Sequence, residues 1–125
     1  MSVAALARLV RKYYGYVADL EGSVVEALDL LFVRDQIHTL LHRLTPGEAL
    51  PSPLYARIYE LDALLWEERS TFCMVVGAEE LRHARRGQAS PRSHWWWYLD
   101  ELQVPPELVR EKRERLAQAF TAPDG

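Results

Sequence analysis

The sequence predicts an all-α protein: a long antiparallel helical hairpin followed by two shorter C-terminal helices, which together form a small helical bundle. Apolar residues recur at helical spacing along the first third of the chain and again along its middle. Proline-rich stretches at 45–53 and 104–106 interrupt this spacing, because proline cannot donate a backbone hydrogen bond. No segment alternates apolar and polar residues as a half-buried strand would. We expect one domain over residues 1–120 and a flexible tail over 121–125.

The first helix is predicted over residues 3–44, where apolar residues form two heptad-like rows. One row holds Leu6, Tyr13, Leu20 and Ala27, and the other holds Val10, Val17, Val24, Leu31 and then His38. The spacing continues through Gly15 and Gly22, each of which costs a helix about 1 kcal/mol relative to alanine. A break near Gly22 is therefore the alternative to one continuous helix.

The second helix is predicted over residues 53–86, after a connection at 45–52. Ser52 followed by Pro53 is a favourable start, since it places a capping residue before a proline at the first helical position. The helix is expected to reach Val76, and a continuation through Gly77 as far as Arg86 is the longer alternative. A connection this short predicts that the two long helices pack antiparallel.

Two shorter helices are predicted in the remainder of the chain. Ser90 followed by Pro91 repeats the starting signal and predicts a helix over 91–103. Pro105 and Pro106 end it and begin a last helix over 106–120.

Three adjacent tryptophans occupy positions 95–97. In an α-helix, where successive side chains are about 100° apart, Trp95 shares the core-facing stripe with Leu99. Trp96 then lies at the flank of that stripe, and Trp97 points to nearly the opposite side. Two interpretations follow: the segment is packed between the hairpin and the last helix, or Trp97, together with Trp96, contacts a partner.

The charge distribution favours a contact surface around these tryptophans. No acidic residue occurs between Glu80 and Asp100, whereas four arginines do, and tryptophan and arginine are enriched at interface hot spots. The predicted partner-binding residues are Arg82, Arg85, Arg86, Arg92, Trp96 and Trp97. We expect a protein–protein interaction or assembly subunit that binds a protein partner or a second copy of itself. The alternative is a nucleic-acid-binding subunit, because arginines contact phosphates and indoles stack on bases.

The sequence offers little for catalysis, and we predict no catalytic residue, metal site or cofactor. It contains neither a glycine-rich phosphate loop nor a nucleophile elbow. Glu80 and His83 have the spacing found in di-iron bundles, and His38 and His42 could share a metal ion, but neither set is complete. Cys73, the only cysteine, is expected to be an inert core thiol.

A cytoplasmic protein without membrane segments is the expectation from hydropathy and charge. No apolar run approaches the roughly 18 residues of a membrane span. The apolar N-terminal stretch is interrupted by Arg8 and followed by Arg11 and Lys12, an order that does not fit a secretion signal. The formal net charge of −3 disfavours a protein that covers nucleic acid with its whole surface.

Overall fold

A computed structural model describes residues 2–43 and 52–102 of the chain, and the prediction of an all-α helical bundle is confirmed. The described residues contain α1 (Ser2–Ala18), α2 (Val24–Arg43), α3 (Ser52–Glu67), α4 (Arg69–Val76), α5 (Ala78–Gln88) and a 3-10 helix (Trp95–Tyr98). Helix α1 packs against α2 and α3, and α2 also contacts α4 and the 3-10 helix. The predicted helix at 106–120 and tail at 121–125 lie outside the described residues, as does most of the 45–52 connection.

The first predicted helix is two helices, separated at residues 19–23, so the alternative of a break near Gly22 is confirmed. The backbone N–H of Glu26 donates to Ser23 Oγ at 3.1 Å, and Ser23 Oγ lies 3.4 Å from the Glu26 carboxylate. A serine followed three residues later by glutamate in this arrangement caps a helix start. This capping pair begins α2 and lets the chain fold back, so that α1 and α2 form the tightest helix pair of the bundle.

The second predicted helix is interrupted twice. It begins at Ser52 as expected, but Glu68 separates α3 from α4, and Gly77 separates α4 from α5. Gly77 has a φ of 87°, a conformation that side-chain-bearing residues rarely adopt. The longer alternative, one continuous helix through Gly77, is therefore wrong, although helical structure extends on its far side to Gln88.

Helix α5 ends in a left-handed turn at Ala89, whose φ is 51°. The backbone N–H of Ala89 donates to the Arg86 carbonyl, and that of Ser90 donates to the Arg85 carbonyl. These two bonds are the Schellman arrangement, which usually places glycine at the left-handed position. The turn directs the chain towards the tryptophan segment.

A buried polar cluster joins the first three helices inside the apolar core. Asp62 of α3 accepts a hydrogen bond from Tyr13 of α1 at 2.7 Å and two from Arg34 of α2 at 2.9 and 3.0 Å. All three side chains are almost fully buried. Burial, together with the neighbouring Asp62 carboxylate, raises the pKa of Tyr13 well above its usual value. Removing either Arg34 or Asp62 would leave the other as an uncompensated buried charge. The network therefore favours the arrangement of α1, α2 and α3 in which these side chains meet.

The helix predicted over 91–103 is wrong, because the segment instead forms turns around the 3-10 helix Trp95–Tyr98. Ser90 does not cap a helix there, and its hydroxyl is buried without a hydrogen-bond partner among the described residues. The Tyr98 hydroxyl donates to the Ser90 carbonyl at 2.6 Å, which closes the segment into a loop. In a 3-10 helix, successive side chains spread about 120° apart, so three consecutive indoles point into different parts of the core.

Candidate functional site

One carboxylate of α2, Asp35, holds the tryptophan segment in place. Its oxygens accept hydrogen bonds from Trp96 Nε1 at 2.7 Å and from Trp97 Nε1 at 3.0 Å. His94 Nδ1 lies 3.0 Å from the same carboxylate. Because a carboxylate only accepts hydrogen bonds, this nitrogen of His94 is the donor. A single side chain thus binds three ring N–H groups from a segment about sixty residues away.

The tryptophans are core residues, which corrects the expected exposure of Trp96 and Trp97. Trp97 has no exposed surface, Trp96 is 1% exposed, and Trp95 is 8% exposed. Trp97 also packs edge-on against Phe32, with ring centroids 5.2 Å apart. The residues that the structure describes therefore cover these indoles, which leaves them unable to stack on bases or to enter a partner's pocket.

Arg85 is the third predicted partner-binding residue that the structure buries, with 7% of its surface exposed. Its guanidinium donates to the Trp97 carbonyl at 2.8 Å and to Asp100 at 2.7 Å, and it also pairs with Glu101 at 3.2 Å. It packs over the Tyr98 ring as well. The prediction that Arg85 lies on a contact surface is wrong, because the side chain anchors the tryptophan segment to α5.

The other three predicted arginines, Arg82, Arg86 and Arg92, are exposed. Arg92 forms an ion pair with Glu101 at 2.9 Å and packs over Tyr98. Arg82 and Arg86 line a shallow polar depression on α5 together with Glu79, Glu80 and His83. Acidic and basic side chains are mixed there. A site that binds a phosphate backbone usually presents mainly positive charge, which this depression does not.

Three histidines gather beside Asp35 at the edge of the bundle. The His38 ring lies between those of His42 and His94, with centroid distances of 4.1 and 4.5 Å. Burial, followed by the nearby His94 and His42 rings, lowers the pKa of His38 to about 4. His38 is half-buried and His42 is exposed.

The sequence patterns considered for metals are not assembled into a site. Within residues 2–43 and 52–102, no three histidine, cysteine, aspartate or glutamate side chains are arranged to hold a metal ion. Glu80 and His83 lie on the exposed face of α5. Cys73 is half-buried, and burial raises the pKa of its thiol. The part of the chain that the structure describes also has no helix both long enough and apolar enough to cross a membrane.

An apolar groove runs between α1 and α3. This surface was not predicted from the sequence. Its volume is about 470 Å³, and we call it the α1/α3 groove; it is lined by Val3, Ala7, Val10, Arg11, Tyr14, Pro53, Leu54 and Arg57. The Arg57 guanidinium lies 4.4 Å from the centroid of the Tyr14 ring, and together they form one wall. Helix α1 has three basic residues and no acidic one. The groove therefore combines an apolar floor with a basic rim.

A second apolar surface lies on the opposite flank of α1, along the first half of α2. We call it the α2 face; it is lined by Tyr16, Val25, Glu26, Leu28, Asp29 and Phe32. Val25 is 77% exposed and Phe32 is 37% exposed. Asp29 accepts a hydrogen bond from Tyr16 and pairs with Lys12 at 3.3 Å, yet its side chain remains 39% exposed. This surface combines exposed apolar side chains with carboxylates around a shallow cavity of about 350 Å³.

In comparisons with known proteins, no family model, no curated protein and no solved structure matches this chain.

The residues of the two surfaces are visible in the sequence, but the sequence does not show that they come together. Tyr14 follows Arg11 by three residues, and Val25 is the second residue of α2, but only the packing of α1 against α3 creates the groove.

Proposed function

We propose that this chain is a non-catalytic association protein that binds a protein surface through the α1/α3 groove. The observation that carries the proposal is the groove itself, because apolar concave surfaces with a polar rim are typical of sites where a helix or peptide docks. Tyr14, on its wall, leaves 46% of its surface in water. Aromatic and arginine side chains at such a position are the residue types that dominate binding energy.

The use of charged groups elsewhere in the bundle supports association over catalysis. Arg34 and Asp62 neutralise each other, Arg85 is paired with Asp100, and Asp35 is engaged by three ring N–H groups. These groups stabilise the fold, and a carboxylate already saturated with donors is a poor general base. The site of association therefore differs from the arginine and tryptophan surface expected from the sequence.

A photo-crosslinking experiment tests this function in the cell that makes the protein. A photoreactive amino acid replaces Tyr14 in the groove, and in a matched control it replaces Met74, an exposed apolar residue that is 83% accessible on α4. We expect a covalent adduct with a protein from the Tyr14 position and much less from the Met74 position. Equal labelling from both positions, the absence of a protein adduct, or an adduct with nucleic acid contradicts the proposal.

Salt dependence separates the nucleic-acid alternative from protein docking. A complex held by phosphate contacts should weaken steeply as salt is raised, because counterions are released on binding. A complex held by an apolar groove should weaken only moderately, through its basic rim. A steep dependence that is abolished by Arg82→Glu with Arg86→Glu supports the nucleic-acid function instead.

A further inference from the structure

We propose that the α1/α3 groove of one copy binds the α2 face of a second copy, so that the chain associates head to tail. This inference rests on the proposed function, because it names the occupant of the same groove. It is carried by two surfaces of one chain that are both apolar and that carry opposite charges at their borders.

Both surfaces carry apolar side chains that a partner could cover. The groove is a concave strip between two helices, floored by side chains such as Ala7 and Leu54. On the α2 face, Val25 and Phe32 stand seven residues apart on one helix and both are exposed. Side chains at this spacing lie along one side of a helix, which is how an amphipathic helix fills a groove.

The charges of the two surfaces are opposite. Arg11 and Arg57 border the groove and both are exposed, and Arg57 also pairs with Glu60 at 3.6 Å. Glu26 and Asp29 border the α2 face; Glu26 is exposed, and Asp29 also pairs with Lys12. Docking would place the carboxylates of one copy beside the guanidinium groups of the next, a pairing that favours encounter and fixes the orientation.

The position of the two surfaces predicts association beyond a dimer, as a closed ring or an open chain. Val10 and Tyr14 line the groove on one flank of α1, whereas Lys12 and Tyr16 contact Asp29 on the other flank. A closed two-fold dimer would require both surfaces to face the same partner. With the surfaces on opposite flanks, each copy binds one neighbour through its groove and another through its α2 face.

Sedimentation of variants measures this association. Wild-type chain is expected to grow beyond a dimer as its concentration rises from the micromolar to the millimolar range. The groove variant, Arg11→Glu with Arg57→Glu, and the face variant, Val25→Lys, should each weaken self-association at least about tenfold. Each of these side chains is exposed, so circular dichroism should show unchanged helix content.

Mixing the two variants provides the decisive result. The groove variant keeps an intact α2 face, and the face variant keeps an intact groove, so an equimolar mixture should form a one-to-one complex and nothing larger. Two control variants should associate like the wild type: Arg82→Glu with Arg86→Glu for the charge change, and Met74→Lys for the lost apolar side chain.

Several results overturn the head-to-tail arrangement. These are a wild-type chain that is monomeric at every concentration, growth that stops at a dimer, association unchanged in both variants, and a mixture that does not combine. A monomeric chain that still yields a Tyr14 crosslink to a different protein refutes self-association and leaves the proposed function standing. A monomeric chain without any protein crosslink refutes both.

Discussion

Replacing Asp35 with asparagine should destabilise the fold strongly, because this carboxylate accepts hydrogen bonds from two buried indoles. The bonds from Trp96 and Trp97 measure 2.7 and 3.0 Å. Asp35 Oδ1 accepts from Trp96, Trp97 and His94, and Oδ2 accepts a second contact from Trp97. An asparagine keeps one acceptor oxygen, but it loses the negative charge and turns an NH₂ donor towards the Trp97 N–H. Hydrogen bonds to a charged group contribute about 1.5–3 kcal/mol each, against about 0.5–1.5 kcal/mol for bonds between neutral groups, so each of the remaining bonds is weakened. We therefore expect Asp35→Asn to lower the free energy of unfolding by about 2–4 kcal/mol.

Urea denaturation followed by tryptophan fluorescence measures this change. Asp19→Asn is the matched control, because Asp19 is exposed in the turn after α1 and its replacement should stay within about 0.5 kcal/mol of the wild type. A double-mutant cycle with Trp97→Phe should give a coupling energy of about 1 kcal/mol or more, since phenylalanine lacks the indole N–H. If Asp35→Asn costs no more than the control, the carboxylate does not hold the segment and the reasoning fails.

Three further predictions concern the core, the histidines and the end of α5. Trp97→Ala should destabilise the fold by about 3–5 kcal/mol in chemical denaturation, whereas Met74→Ala should change it by less than about 0.5 kcal/mol; equal effects would contradict the burial of Trp97. His38 has its pKa lowered to about 4 from 6.5, so the unfolded chain binds its proton first and stability should fall as the pH falls from 6.5 to 4. Because the His38 ring is partly solvated, the free energy of unfolding should fall by about 1–2 kcal/mol over this range. His38→Gln should make this fall smaller, and a variant with the same pH dependence as the wild type would show that His38 is not its cause. Ala89→Gly should raise the free energy of unfolding by about 0.5–1 kcal/mol in thermal denaturation, because glycine suits the left-handed turn, and a lower stability would contradict this.

The sequence predicted the helices because helices depend on local signals. Apolar spacing and the prolines near 45–53 were sufficient for the all-α bundle, and Ser52 with Pro53 located the start of α3. The break after α1 was also encoded locally, in the Ser23 and Glu26 capping pair. That signal could have decided between one long helix and two.

The burial of Trp96, Trp97 and Arg85 was not predicted because it depends on contacts between distant residues. Placing Trp97 on an exposed face assumed an α-helix over 91–103, but the segment is shaped by its bonds to Asp35 and Arg85. These partners lie on α2 and α5, and helical angles within the segment carry no information about them. The α1/α3 groove is likewise a product of helix packing, since neither helix alone forms a concave surface.

Hydrogen exchange of the indole N–H groups tests the central claim most directly, namely that Asp35 holds Trp96 and Trp97 inside the bundle. In nitrogen-15 spectra, with each indole signal assigned by a Trp→Phe variant, those of Trp96 and Trp97 should exchange slowly and lose this protection in Asp35→Ala, which has no side-chain acceptor. Local opening of a buried, hydrogen-bonded group limits its exchange, so protection reports the bond itself. Indole signals of Trp96 and Trp97 that exchange as fast as those of an exposed tryptophan would contradict the account.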